Sequence, residues 1–218
     1  MLLGYELSGS DAREKMLGDE AEYAPPHPCN LYRTIYEINF LPDNFKIPKR
    51  KNDFYSSADG FKLVSEKVKA FCIWHKYKGL TFVPLPNTNY YWLKTKNVIE
   101  YDQSNKYITR TEYSRKCKGY REITCPTPVF LKKKKPLGDN FYRTDLCFGS
   151  DGRFPIMCIG IETAARLKKA NFTGLYLREI KDSYDQKELP NYKLFKQMRD
   201  DADFSFLDLI GYKGKRKE

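Results

Sequence analysis

Two parts of this sequence repeat each other in the same order, and this repeat constrains the fold more than any single motif does. Residues 30–34 are identical to residues 140–144 at all positions except Leu31, where the second copy has Phe141. Residues 64–82 are echoed more loosely by residues 159–177, where Gly79 and Leu80 recur as Gly174 and Leu175. We therefore predict two related halves that share one backbone plan.

The first copy has the pattern of strand, turn, strand, helix, strand. Alternating side chains predict a strand over 31–40, and a short apolar run predicts another over 61–64. Ser65 is a good N-cap for a helix whose buried face carries Val68, Phe71 and Cys72, because its hydroxyl can accept from exposed amides. Gly79 ends that helix, and residues 80–85 form the next strand.

The second copy follows the same plan in a shorter span. Strands are predicted over 141–148 and 156–161, a helix over 164–170 with Thr163 as its cap, and a last strand over 175–180. Residues 87–139, between the copies, are strand-rich. The repeated positions that we expect to have a structural role are Tyr32, Arg33, Gly79, Tyr142, Arg143 and Gly174.

These elements predict an α+β fold with mainly antiparallel sheet, a few short helices and an internally duplicated strand-strand-helix-strand unit. We divide the chain into an N-terminal leading segment (1–29), a core domain (30–181) and a C-terminal helix with a basic tail (182–218). The two halves of the core are residues 30–86 and 140–181. The first three residues are followed at once by Gly4, Tyr5 and Glu6, so we expect no secretory signal.

The chain is basic: 39 Lys and Arg oppose 28 Asp and Glu, which gives a formal net charge of +11. The positive electrostatic field of such a chain attracts nucleic acid, an anionic membrane surface or an acidic protein. Solvated loops and a frayed tail would explain the same lysine runs without any binding role. The candidate polyanion- or acidic-partner-binding residues are Lys49, Arg50, Lys51, Lys132, Lys133, Lys134 and Lys135.

Histidines and cysteines limit the possible chemistry. The six cysteines contain no Cys-x-x-Cys pair, and we expect them to be free thiols in a reducing cytoplasm. A zinc site usually needs four ligands in close pairs; His27 and Cys29 are the only close His/Cys pair, so we expect no metal and no cofactor. A thiol nucleophile paired with His75 stays open, although no flanking residue suggests activation.

Short motifs in both halves resemble one protein family. Residues 59–67 and 79–85, followed by residues 141–143, 156–161 and 173–177, resemble the immunity proteins encoded beside bacterial polymorphic toxins, long known as domains of unknown function. This chain has Gly160 where a serine is expected before the second helix. It also lacks the Cys-x-x-Cys pairs of some relatives, so no metal is carried over.

The resemblance implies a non-enzymatic protein of the cytoplasm that binds and neutralises a cognate protein toxin, here one with an acidic surface. The alternative is a basic nucleic-acid- or polyanion-binding protein that uses Lys132 to Lys135 and the tail. An enzyme would have to collect residues such as His75, Asp102 or Glu162 in one cleft. We expect no membrane insertion.

Overall fold

The computed structural model describes residues 1–12, 26–39, 41, 51–57, 60–124, 126–150 and 152–185. The chain divides into two units, Met1–Ser183 and Tyr184–Glu218, and every helix and strand described here lies in the first. The predicted C-terminal helix, the basic tail, Lys49 and Arg50 lie outside the described residues.

The described residues form eleven β-strands, two α-helices and a 3-10 helix at Ile35–Glu37. The α-helices are α1 (Glu66–Trp74) and α2 (Ile161–Lys169). The strands are β1 (Leu2–Asp11), β2 (Phe54–Ser56), β3 (Lys62–Ser65), β4 (Leu80–Pro84), β5 (Tyr90–Thr95), β6 (Val98–Ile99), β7 (Thr109–Ser114), β8 (Gly119–Thr124), β9 (Phe141–Phe148), β10 (Phe154–Ile159) and β11 (Leu175–Lys181).

Nine of these strands make one sheet, and β7 and β8 pair as a separate two-stranded sheet. The order in the large sheet is β4-β5-β3-β2-β1-β10-β9-β6, and β11 also pairs with β1. All pairs are antiparallel except β1 with β2 and β6 with β9. Because β6 follows β5 after only two residues, the sheet must curl until its two ends meet.

The predicted α+β fold and its internal duplication are confirmed. The order strand, strand, helix, strand occurs as β2-β3-α1-β4 and again as β9-β10-α2-β11. In the first half β5 lies between β3 and β4, and in the second half β1 lies between β10 and β11. The N-terminal strand therefore completes the second half, so the two halves differ by a circular permutation.

The turn after each helix shows how closely the halves correspond. Gly79 and Gly174 have φ values of +78° and +73°, a region that glycine adopts without a Cβ clash. Their carbonyls accept equivalent hydrogen bonds, from the Lys96 amide at 2.8 Å and from the Ser10 amide at 2.9 Å. The prediction that these glycines end the helices is wrong, because the C-caps are His75 and Ala170. The glycines lie instead in the turns that lead to β4 and β11.

The first match that suggested the repeat is not part of it. The strand predicted over 31–40 is not formed by its described residues 31–39, because the chain there makes isolated bridges and a 3-10 helix. Tyr32 stacks on His27 with ring centroids 4.8 Å apart, and Arg33 bridges to Pro26 and Gly152. Tyr142 and Arg143 instead lie on β9. The pairing register shows that Tyr142 corresponds to Tyr55 instead. Tyr142 pairs with Cys158 on β10, Tyr55 pairs with Leu63 on β3, and these two partners occupy equivalent positions in the repeat.

Two further expectations are corrected by the pairing of β1 and the start of α2. Residues 1–29 are not a separate leading segment, because β1 is an inner strand that pairs with β2, β10 and β11. Thr163 is not the cap of α2: the N-cap is Gly160, and the Thr163 hydroxyl donates to Asp139 Oδ1 at 2.9 Å.

Packing and a covalent link fix the arrangement. Three apolar clusters cover the sheet, and the largest fully buried side chains are Trp92, Tyr101, Phe54, Phe61 and Phe141. A disulfide joins Cys29 to Cys117, so the expectation of six free thiols is wrong for this pair. Cys72, Cys147 and Cys158 are free.

Candidate protein-binding surface

Helix α1 has one buried face and one exposed face, because some of its apolar residues recur at helical spacing and pack on the sheet. Val68 and Cys72 are buried against the sheet, and Phe71 is half-buried beside them. The Ser65 hydroxyl accepts from the Val68 amide at 3.5 Å and so caps the first turn, as predicted. The opposite face leaves exposed Glu66, Lys67, Ala70, Ile73 and Trp74.

Two large apolar side chains on that open face are the most unusual feature of the surface. Trp74 is 82% exposed and Ile73 is 61% exposed. A single exposed apolar residue is ordinary, but adjacent Ile and Trp side chains in water leave a substantial unburied area. Exposed Lys67, Lys76 and Lys78 belong to the same helix and the turn that follows it.

The second half of the protein provides a natural comparison for these two residues. Helix α2 begins 95 residues after α1 (161 against 66), so Lys168 and Lys169 occupy the positions of Ile73 and Trp74. Both lysines are exposed. The same local fold therefore accepts two charged side chains at these positions. The duplicated unit therefore does not require apolar residues at these helix positions, and the exposed pair of α1 calls for another explanation.

The end of α1 is held by aromatic packing, so the exposed pair sits on a firm base. His75 is the C-cap, and its ring lies 4.3 Å from the Phe71 ring. Phe71 also makes an edge-to-face contact with Phe172 at 5.2 Å, and Phe172 belongs to the second half. Such pairs restrict the ring orientations beyond simple burial. His75 is half-buried here and has a structural role as the C-cap.

Asp53 adds a polar link between the halves near the start of α1. Its carboxylate accepts from the Ser65 hydroxyl at 2.8 Å and from the Thr173 amide and hydroxyl, each at 3.0 Å. Burial alone would raise the pKa of Asp53, but the hydrogen bonds from Thr173 and Ser65 together lower it. The ionised carboxylate therefore stabilises the folded state.

The thiols are poorly suited to nucleophilic catalysis. Burial raises the pKa of Cys72, the cysteine nearest to His75 in sequence, to about 12, and burial also raises the pKa of Cys147 and Cys158. Since the thiolate is the nucleophile, these surroundings oppose activation.

The other catalytic candidates lie on three separate elements. His75 caps α1, Asp102 accepts from Ser104 in a turn, and Glu162 lies on α2 next to Arg166. In the part of the chain that the structure describes, these residues do not form a nucleophile–base pair.

The basic run at 132–135 is partly neutralised. Lys132 and Lys133 lie 3.7 Å and 3.9 Å from the carboxylate of Glu100. Lys133 and Lys135 border an open cavity of about 360 Å³, which has a mixed polar and apolar lining that includes Glu100, Val98 and Leu131. Lys51 is exposed on a different part of the chain.

Sequence reasoning missed the exposed pair on α1 because it considered only the helix face that carries Val68, Phe71 and Cys72. The signal was present: Ile73 and Trp74 lie opposite Val68 and Cys72 on a helical projection, and alignment of the repeat places lysines at their equivalents.

No known family model matches this chain, and a search of curated proteins finds no relative. Neither α-helix in the described residues is long enough and apolar enough to cross a lipid bilayer.

Proposed function

We propose that this chain is a non-enzymatic, immunity-type protein that binds and neutralises a cognate protein toxin in the cytoplasm. One observation carries the proposal: α1 exposes Ile73 and Trp74 at two positions where the duplicated helix has lysines. Tryptophan is the residue most enriched among those that dominate binding energy at protein interfaces.

A protein partner fits this surface better than a nucleic acid. The isoleucine side chain has no π-face for base stacking and no charge for phosphate, whereas protein interfaces have apolar centres surrounded by polar residues. Exposed Lys67, Lys76 and Lys78 supply such surroundings. Together with the net charge of +11 they favour an acidic partner and fast, salt-sensitive association.

The rigid attachment of α1 supports tight binding. The Ser65 cap, the contacts of Phe71 with His75 and Phe172, and the Asp53 hydrogen bonds hold the helix before any partner arrives. A preformed surface loses less conformational entropy on association than one that must become ordered. The family resemblance of residues 59–67 and 173–177 points to the same class of function.

The test is co-expression with the toxin encoded by the adjacent gene. Cells that carry the wild-type chain should survive, and the two proteins should co-purify as a 1:1 complex. I73K/W74K gives α1 the residues of α2 at both positions, so it should fold normally but lose protection. Y176K is the matched control, because Tyr176 is a 60% exposed aromatic residue on β11. Equal protection by I73K/W74K and the wild type would refute the proposed surface.

A second variant distinguishes the toxin-binding proposal from the polyanion-binding alternative. Replacement of Lys132, Lys133, Lys134 and Lys135 by alanine should slow association but leave the 1:1 complex intact, because none of these lysines lies on α1 or in the turn after it. A polyanion binder would instead lose affinity for generic RNA or DNA and show a shallower salt dependence after this change.

A further inference from the structure

Three side chains with metal-binding atoms meet where the 26–33 loop touches the hairpin of β7 and β8. A nitrogen of His27 and the sulfurs of Cys29 and Cys117 lie within 4.8 Å of one another. All three residues are half-buried, so small solutes can reach them. Cys117 lies in the turn between Ser114 and Gly119, 88 residues from Cys29 in sequence.

Hydrogen bonds hold both sides of this cluster in place. The His27 amide donates to the Tyr32 carbonyl at 2.8 Å, and the Asn30 amide donates to the His27 carbonyl at 2.7 Å. The Cys117 amide donates to the Ser114 hydroxyl at 3.3 Å. The Cys29 amide donates to His27 Nδ1 at 3.2 Å, which places the lone pair of this nitrogen on the side of Cys29. The site is therefore arranged by its local backbone as well as by the disulfide.

We propose that His27, Cys29 and Cys117 bind one Zn²⁺ ion when the Cys29–Cys117 disulfide is reduced. A dithiol reductant supplies two electrons and two protons, is itself oxidised to a disulfide, and leaves two thiols. Zinc then displaces both thiol protons and accepts two sulfur ligands and one histidine nitrogen. A water molecule completes the tetrahedron, as in zinc sites with three protein ligands.

The backbone separation suits both states. With Zn–S bonds of about 2.3 Å, two sulfurs on one tetrahedral ion lie roughly 3.8 Å apart, so rotation of the two side chains is enough to open the disulfide into a metal site. The Cα atoms of Cys29 and Cys117 are 6.0 Å apart, which accommodates this change without a large backbone movement. The histidine nitrogen exchanges one weak hydrogen bond for a metal bond.

Cobalt provides the readout, because Co²⁺ bound to thiolate has a charge-transfer band in the near ultraviolet. The full chain, reduced with a phosphine and freed of reductant, should bind one Co²⁺ with this band, and Zn²⁺ should abolish it. C117S should lose the band, and H27Q should weaken Co²⁺ binding at least about 10-fold, since even outer-shell changes often cost that much. C147S, which removes a half-buried free thiol, is the control and should bind as the wild type does.

A second measurement needs no variant and so does not depend on folding of a mutant. Zn²⁺ should slow alkylation of Cys29 and Cys117 in the reduced wild-type chain and leave Cys147 unaffected, as read by mass spectrometry of peptides. The proposal is overturned if reduced protein shows no cobalt band and no zinc protection. It is also overturned if H27Q binds as tightly as the wild type, or if the oxidised protein gives the same band.

Discussion

Gly160 offers a sharp test of the duplicated architecture, because sequence and structure predict opposite effects of changing it to serine. In the first half the equivalent residue is Ser65, which caps α1, so Gly160→Ser would restore the expected motif. The backbone at Gly160 is no obstacle, since its φ is −69°. A Cβ atom there, however, would lie 1.9 Å from the Gly138 carbonyl oxygen and 3.0 Å from that of Leu137.

The expected cost follows from what the Cβ meets. Both neighbours are backbone atoms, so no side chain can rotate away to make room. Overpacking of a core typically costs about 1–3 kcal/mol, and we expect a backbone clash to reach the upper end, about 3 kcal/mol of unfolding free energy. A small domain has only about 5–15 kcal/mol in total. Glycine is therefore required because the chain at 137–138 passes directly over this helix start.

The control is the reciprocal change, Ser65→Gly. It removes the cap, which costs a few tenths of a kcal/mol when glycine replaces serine, and the hydrogen bond to Asp53, which is worth about 1–2 kcal/mol. Urea unfolding followed by circular dichroism measures both variants. The account requires Gly160→Ser to be the more destabilised. A Gly160→Ser protein within 0.5 kcal/mol of the wild type, a limit set by the usual range of neutral surface changes of about ±0.5 kcal/mol, would refute it.

Two other predictions concern titrating groups. Asp53→Asn should reduce the unfolding free energy by about 1–2 kcal/mol at pH 7, because the amide cannot accept the bonds from Thr173 and Ser65 equally well. The folded pKa of Asp53 is below its ordinary value of 3.8, so its stabilisation is present above pH 3.8 and is lost as the pH falls through the folded pKa; urea unfolding between pH 2 and 7 should show the two proteins converging at low pH. Cys72 and Cys158 should resist iodoacetamide at pH 8 until urea unfolds the chain, because burial raises both pKa values. Rapid native labelling of either thiol would contradict their burial.

Local signals in the sequence predicted the parts of the fold that local chemistry determines. The strand Phe141–Phe148 has the predicted bounds, and α1 has the predicted cap at Ser65. Gly79 and Gly174 do not end the helices, which are capped by His75 and Ala170, but both occupy left-handed positions in the turns that follow, where glycine is strongly favoured. These features depend on residues within a few positions of each other.

The features that sequence reasoning missed depend on distant pairing. β1 was not recognised as the middle strand of the second half, because its partner residues lie far away: Glu6 pairs with Arg178 and with Cys158. The similarity of residues 30–34 to 140–144 was misleading, since Tyr32 and Arg33 sit in a loop while Tyr142 and Arg143 lie on a strand. A four-residue identity between two segments does not show which strands each segment pairs with in the fold.

The candidate site could be predicted only in part. The basic charge was visible, but the neutralisation of Lys132 and Lys133 by Glu100 depends on a strand pairing that the sequence does not reveal. Similarly, the exposure of Trp74 follows from which face of α1 packs on the sheet. The contrast with Lys169 needed only the correct alignment of the two halves.

Fluorescence quenching tests the binding role of α1 most directly, because the chain has only two tryptophans and they are in opposite environments. Trp92 is 1% exposed and Trp74 is 82% exposed, so acrylamide should quench one fraction of the emission and spare the other. Burying a tryptophan removes about 150–250 Å² from water and is often worth 2 kcal/mol or more in binding, about 30-fold in Kd. If the proposed toxin binds α1, saturation with it should remove the accessible fraction of the emission. If Trp74 stays as open to acrylamide in the complex as in the free protein, α1 is not the binding surface.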